Sequence, residues 1–164
     1  MKKLLILVGV LGVFTLGMAE EATFDVTANV IDDIEVTAST VAFGDIARGT
    51  TKSSPVTPGN LKVSGSPNKN IKISFTVNGE ELEETMELYK DGISSDTNKL
   101  IYRPTIKSTT QGPLTLDDGE ITWLTLNQSG EHDFVIDGTL TAGNDIDLGE
   151  YKGQVGVKVI YGAY

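Results

Sequence analysis

The sequence predicts an all-β fold, an antiparallel sandwich of two sheets, on three observations. Apolar and polar residues alternate over short runs, and no sustained helical period occurs. Turn signals such as Asn78-Gly79, Asp118-Gly119 and Ser129-Gly130 return about every ten residues. The chain has 164 residues, of which eighteen are glycine. This length suits about one domain, and short strands between regular turns are typical of a sandwich.

The amino terminus has the layout of a secretory signal peptide. Lys2 and Lys3 precede an apolar run over residues 4–16, and small residues lead to Ala19. The alternative is a membrane anchor, but the run is shorter than the roughly 20 apolar residues that a spanning helix needs. We therefore expect residues 1–19 to be removed by cleavage after Ala19.

Residues 23–30 are the first predicted strand, because Phe24, Val26, Ala28 and Val30 alternate with polar residues. One stretch, residues 80–86, has the spacing of a single helical turn. The remaining strands are predicted at residues 34–38, 41–43, 61–63, 71–77, 86–89, 100–102, 121–126, 134–140 and 154–161.

The first strand needs a place to bury its apolar face, since it begins soon after the predicted cleavage site. Four alternating apolar side chains left in water would favour aggregation. The strand has two possible destinations, its own domain or a groove in a neighbouring copy. Donation to a neighbour is a known form of β-augmentation, and a head-to-tail contact of this kind builds a filament. The residues alone leave both destinations open.

Both ends of the mature chain resemble a known family. Residues 23–30, followed by Ile34-Glu35-Val36, resemble the start of mature colonisation-factor pilins, the major fimbrial subunits of the alternate chaperone–usher pathway. Residues 142–159, with Gly149-Glu150-Tyr151-Lys152-Gly153 before a Val-rich run, resemble the last strand of these pilins. The same ends, with residues 41–46 and 134–140, also resemble a broader group of secreted bacterial pilin-like domains.

The resemblance implies an immunoglobulin-like sandwich that lacks one strand and is completed by a donated amino-terminal strand. Residues 20–31 would be the donor strand, with Phe24, Val26, Ala28 and Val30 pointing inward, and residues 32–164 would be the pilin-like domain. Val155, Val157 and Val159 would lie on the last strand, at the border of the groove.

The same resemblance implies the partners and location of the protein. The partners would be copies of the chain or other pilus subunits, a periplasmic chaperone and an outer-membrane usher. The location would be a fimbria on the cell surface, where the fibre supports adhesion to a host receptor that the sequence does not identify. Such a subunit is not an enzyme and needs no cofactor.

Composition limits other functions. No cysteine is present, which excludes disulfides and cysteine-based zinc sites. Thirteen Lys and Arg against twenty-three Asp and Glu give a net charge of −10, which argues against nucleic acid as a partner. The acidic clusters at residues 117–120 and 144–147, and the segment 91–96, lack the spacing of a calcium loop, so no metal site is predicted.

Two single residues remain as candidates for a site. His132 is the only histidine and is expected to be exposed in a polar turn. Trp123, the only tryptophan, is expected in the core, whereas an exposed Trp123 would favour glycan binding. The alternative function is a self-contained secreted or surface module that recognises glycan or protein through its loops.

Overall fold

A computed structural model describes residues 28–92 and 98–162 of the chain. Contacts between residues divide the chain into two units, residues 1–30 and 31–164. The described part of the second unit is built of strands, with no helix among its elements. Within the described ranges, no helix is long and apolar enough to cross a membrane. The strands are β1 (Glu35–Ala38), β2 (Thr51–Lys52), β3 (Gly59–Ser64), β4 (Asn70–Val77), β5 (Glu80–Glu81), β6 (Met86–Lys90), β7 (Lys99–Ser108), β8 (Gly112–Leu114), β9 (Glu120–Thr125), β10 (Glu131–Thr141), β11 (Tyr151–Lys152) and β12 (Gly156–Tyr161).

The strands form two sheets in which every pairing is antiparallel. The larger sheet has the order β1-β3-β10-β7-β6-β11, with β2 beside β10 and β8 beside β7. In the smaller sheet β4 is central, with β12 on one side and β9 and β5 on the other. Between β11 and β12 the chain passes from the larger sheet to the smaller one, so a short crossing segment connects the two layers. The predicted all-β antiparallel sandwich is therefore confirmed.

The core lies between the two sheets and follows the alternation of the strands. On β4, Ile71, Ile73 and Phe75 are buried, and the residues between them are partly exposed. On β3 and β10, Leu61 and Phe134 are buried in the same way. Burying each of these large side chains stabilises the fold by about 1.5–3 kcal/mol. The alternation of apolar and polar residues that predicted the strands therefore also places every second side chain in the core.

The helical turn predicted at residues 80–86 is wrong, because a tight hairpin occupies its start. Asn78 and Gly79 both have positive φ angles, 54° and 88°, the combination that a two-residue type I′ turn requires. The turn returns the chain along β4, and the N–H of Leu82 donates to the carbonyl of Phe75 at 2.9 Å. The Leu82 side chain is buried in the core.

Two predicted strands differ from the structure. Residues 41–43 make only an isolated bridge, in which Ala42 pairs with Thr57. Of the strand predicted at residues 23–30, residues 23–27 lie outside the described residues. The last three, residues 28–30, have no assigned secondary structure.

Candidate functional site: an open apolar groove between the sheets

An open groove of about 480 Å³ lies between the two sheets. Apolar side chains from both sheets form its wall. The larger sheet contributes Met86, Leu88, Tyr102, Pro104, Ile106 and Ile136, and the smaller sheet contributes Phe75 and Val157. Phe75 is buried in the core, so the groove reaches the interior of the sandwich. Among the described residues, no charged side chain belongs to this lining.

Two backbone segments flank the groove. One is residues 38–41, which continue the chain beyond β1, and the other is residues 153–157, which cross from β11 to β12. Within the described residues β12 pairs only with β4, so its other edge has no strand partner. The unpaired N–H and C=O groups of such an edge are a template for one more strand. The groove therefore offers both an apolar wall and a free strand edge.

The crossing segment packs closely against the larger sheet. A Cβ built on Gly153 would lie 2.7 Å from Cε of Met86 and 3.2 Å from the carbonyl oxygen of Glu87. A Cβ built on Gly156 would lie 2.6 Å from Oγ1 of Thr76 on β4. These two glycines let the chain pass between the sheets without a side chain in the gap.

Of the described residues that line the groove, Tyr102 is the one with an ionisable side chain. Its hydroxyl donates to the carbonyl oxygen of Asp137 at 2.5 Å, and its ring meets Phe43 edge-on, with centroids 5.4 Å apart. Burial, and secondarily the negative charge of Asp137, raises the pKa of Tyr102 to about 12. The groove wall is therefore uncharged at neutral pH.

A second depression adjoins the groove but differs in chemistry. It shares Leu82, Pro104 and Ile106 with the groove, yet charged residues belong to its lining. Arg103 and Glu84 form an ion pair there at 2.9 Å. The depression lies where β7 passes from its pairing with β6 to its pairing with β8. An apolar segment is better matched by the first groove than by this one.

The last-strand residues that the resemblance implied occupy different places. Val155 and Val157 line the groove, and Val155 immediately precedes β12. Val159 lies further along β12, partly buried against the core and outside the lining. Of the donor-strand residues, Phe24 and Val26 lie outside the described residues. Ala28 and Val30 are exposed, and Val30 is 95% exposed.

Sequence reasoning missed the groove wall contributed by the larger sheet. Met86, Tyr102 and Ile106 lie in the middle of the chain, which carries no family resemblance. The short apolar run at residues 100–102 predicted a strand, but nothing local indicates which buried strands face an opening.

The expectation that His132 is exposed in a turn is wrong. Its side chain is 6% exposed, because β10 begins at Glu131 and His132 faces inward on the same side as Phe134. The two rings are 4.6 Å apart. Nδ1 lies 3.3 Å from the carbonyl oxygen of Thr125, and Nε2 lies 2.9 Å from Oγ of Ser108.

These contacts define the role of His132. The Ser108 oxygen accepts the backbone N–H groups of Thr110 and Gln111, at 3.2 and 3.1 Å. The Thr125 carbonyl can only accept, so in the neutral ring the proton is on Nδ1, and Nε2 accepts the hydroxyl hydrogen of Ser108. A serine and a histidine in contact resemble part of a hydrolytic triad, but the third group here is a carbonyl and both side chains are buried. The pair ties the end of β7 to the start of β10.

The expectation that Trp123 lies in the core is also wrong, since its side chain is 65% exposed. Between the pairs Ile71–Leu124 and Ile73–Ile121, two residues of β9 oppose a single residue of β4. This bulge shifts the alternation, so Leu124 enters the core where an unbroken strand would have placed Trp123. Trp123 has a φ angle of 62°, in the left-handed region.

No cluster of three or more potential metal ligands occurs within residues 28–92 and 98–162. Residues of the acidic segments instead contact side chains that are distant in sequence. Glu120 pairs with Lys72 at 2.5 Å, and this hydrogen bond is the main reason that the pKa of Glu120 is lowered. Asp147 accepts a hydrogen bond from the Asn98 side chain at 2.9 Å.

No protein-family model and no curated protein matches this chain. Among solved structures, it is similar to one described as a chaperone–usher pilus that reveals the molecular basis of rod uncoiling. That similarity has 14% sequence identity and a TM-score of 0.47, and covers 88% of this chain and 96% of the other.

Proposed function

We propose that this protein is a structural subunit of a surface fibre, and that its groove accepts the amino-terminal strand of another copy. The observation that carries the proposal is the uncharged apolar groove beside the edge of β12 that has no partner among the described strands. A catalytic site needs polar groups that converge on a substrate, whereas this opening presents apolar side chains and a strand edge.

The proposed occupant is the segment 20–31 of a neighbouring subunit. Its backbone would pair with the free edge of β12, and Phe24, Val26, Ala28 and Val30 would enter the groove. At about 1.5–3 kcal/mol for each large apolar side chain, burial would supply several kcal/mol. Asp25, Thr27 and Asn29 would face solvent, which is consistent with the period of two in a strand.

Polymer growth follows from the geometry of this contact. The donor and the groove are different surfaces of the same kind of chain, so the contact is head-to-tail and does not close a dimer. In this proposal residues 1–19 are removed on export and the fibre is displayed at the cell surface, where it supports adhesion. A periplasmic chaperone and an outer-membrane usher are the proposed assembly partners, because an open apolar groove needs cover before assembly.

Donor-strand complementation tests the groove directly. A copy of residues 20–31 is fused after Tyr164 through a flexible linker, and thermal unfolding is followed by circular dichroism. We expect the melting temperature to rise by about 10 °C or more, since several kcal/mol in a domain of this size has that effect. The matched control carries Val26→Asp and Ala28→Asp in the appended copy only. Equal melting temperatures for the fusion and its control would show that the groove does not accept this strand.

A second experiment distinguishes a fibre subunit from a self-contained binding module. The fraction sheared from the cell surface is separated in SDS with and without boiling. Strand-donated polymers combine many backbone hydrogen bonds with a buried apolar row, so we expect a ladder of multiples that collapses to one band on boiling. A single monomer band in both lanes would favour the self-contained module.

A further inference from the structure

We propose that the outer face of the smaller sheet, around Trp123, binds a hexopyranose residue of a glycan. Trp123 is 65% exposed on β9, on the side of the sheet opposite the core. The groove is lined by side chains on the inner face of the same sheet, such as Phe75. This second site therefore does not depend on the fibre proposal, and it would stay accessible with the groove filled.

The exposure of Trp123 is built into the backbone. The bulge places both Thr122 and Trp123 opposite Lys72, and the φ angle of 62° turns the indole away from the core. A left-handed φ costs free energy for a large side chain, whereas glycine and asparagine adopt it readily. Strained residues of this kind concentrate at ligand-binding sites, where the surrounding structure holds them in place. The strained backbone at Trp123 is the first indication that this residue has a role other than stabilising the fold.

The indole is also held in position on one side. A Cβ built on Gly162 would lie 3.1 Å from Cζ3 and 3.5 Å from Cε3 of Trp123. Gly162 is itself fixed, because its N–H donates to the carbonyl oxygen of Asn70 at 2.8 Å. A large side chain at Gly162 would displace the ring. The result is an aromatic surface that is oriented before a ligand arrives, which lowers the entropic cost of binding.

The neighbours of the ring are hydrogen-bonding groups. Asn70 and Thr125 are directly paired across β4 and β9, and the Thr125 hydroxyl donates to Oδ1 of Asn70 at 2.8 Å. The amide Nδ2 of Asn70 has no protein partner among the described residues, so it is available as a donor. On the other side of Lys72 from Trp123, the exposed Ile160 of β12 is paired with Lys72.

This composition favours a sugar over a protein surface. A pyranose ring has an apolar C–H face that stacks on an aromatic ring, and hydroxyls around its edge that donate and accept hydrogen bonds. An indole bordered by the Asn70 amide and the Thr125 hydroxyl matches both features. A protein contact of high affinity instead surrounds its aromatic anchor with groups that exclude water.

The test uses the secreted protein and the fluorescence of its single tryptophan. The probes are the methyl glycosides of glucose, galactose, mannose and N-acetylglucosamine. We expect at least one to cause a saturable blue shift, because stacking removes water from the indole. Asn70→Ala should weaken that binding about tenfold, which corresponds to losing one good hydrogen bond. Leu148→Ala, which trims another exposed apolar side chain, should leave the affinity unchanged. Absence of a saturable shift with all four probes would overturn the proposal.

Trp123→Gly separates a binding role from a structural one. Glycine suits the positive φ, so we expect the melting temperature to stay equal or rise while saturation-transfer NMR signals from the sugar disappear. A clear fall in melting temperature with sugar binding retained would refute the inference. So would loss of self-association in Trp123→Ala without any sugar binding, since this face would then be a contact between protein copies.

Discussion

Replacing Tyr102 by phenylalanine removes a single oxygen atom from the wall of the groove. The hydroxyl of Tyr102 donates to the carbonyl oxygen of Asp137 at 2.5 Å, and the side chain is only 6% exposed. The ring contact with Phe43 is kept in the variant, so the change isolates the hydrogen bond. Leaving a buried acceptor without its partner costs about 1–3 kcal/mol, and we expect the free energy of unfolding to fall by that amount at pH 7.

The dependence of this loss on pH follows from the pKa of Tyr102. The pKa rises from 10.0 to about 12 in the folded protein, first through burial and then through the charge of Asp137. The folded state therefore favours the neutral phenol. Its stabilising contribution is complete below the unfolded pKa of 10.0 and is lost as the pH rises through about 12. The variant has no such group, so the two proteins should approach each other in stability over this interval.

Urea denaturation followed by circular dichroism, at pH 7 and at steps up to pH 12, measures both effects. Tyr89→Phe is the matched control, because its hydroxyl donates to the carboxylate of Glu87 on the partly exposed strand β6. We expect a smaller loss for Tyr89→Phe than for Tyr102→Phe at pH 7. A stability difference between the Tyr102 variant and the unmodified protein that stays constant from pH 9 to 12 would refute the reasoning, as would equal stability at pH 7.

Three further changes test other parts of the fold. Gly138→Ala should destabilise the fold by about 2–5 kcal/mol, because φ is 141° and a Cβ would lie 2.2 Å from the carbonyl oxygen of Arg103. The control Gly143→Ala, with open space around it, should be nearly neutral by thermal melting. Ser108→Ala should cost about 1–3 kcal/mol in urea, because it leaves His132 and two N–H groups without their partner; an unchanged urea midpoint would contradict that role. A hydrogen bond from Lys107 lowers the pKa of Asp137, so its stabilising contribution disappears as the pH falls through that lowered value. Asp137→Asn should therefore lose less stability than the unmodified protein at acidic pH. Equal loss of stability in both proteins below neutral pH would count against this role.

The turns were the part of the fold most open to prediction. Asn78-Gly79 and Asp118-Gly119 were both expected to be turns, and in each pair both residues have positive φ. The reason is local, because Asn, Asp and Gly tolerate the left-handed region whatever surrounds them. The strands beside these turns were predictable for a similar reason, since alternation is a property of neighbouring residues.

The burial of His132 and the exposure of Trp123 could not be predicted from local sequence patterns. The polar sequence around His132 indicated a turn, but the pairing of β10 with β3 begins at Glu131, early enough to include His132 and bury its ring. The alternation in β9 indicated a buried Trp123, but the pairing with β4 slips by one residue. Burial at both positions depends on the register with partner strands that are distant in sequence.

By itself, the sequence determined the fold class, most of the strands and the tight turns, since each depends on short-range periodicity and backbone preference. Only the tertiary structure decided which strands became neighbours, which residue of β9 left the core, and where the two sheets stand apart. The groove is the clearest case. No local pattern encodes an opening, because it exists only where three features meet in space: the edge of β12 that no described strand pairs with, the segment 38–41 and the apolar wall of the larger sheet.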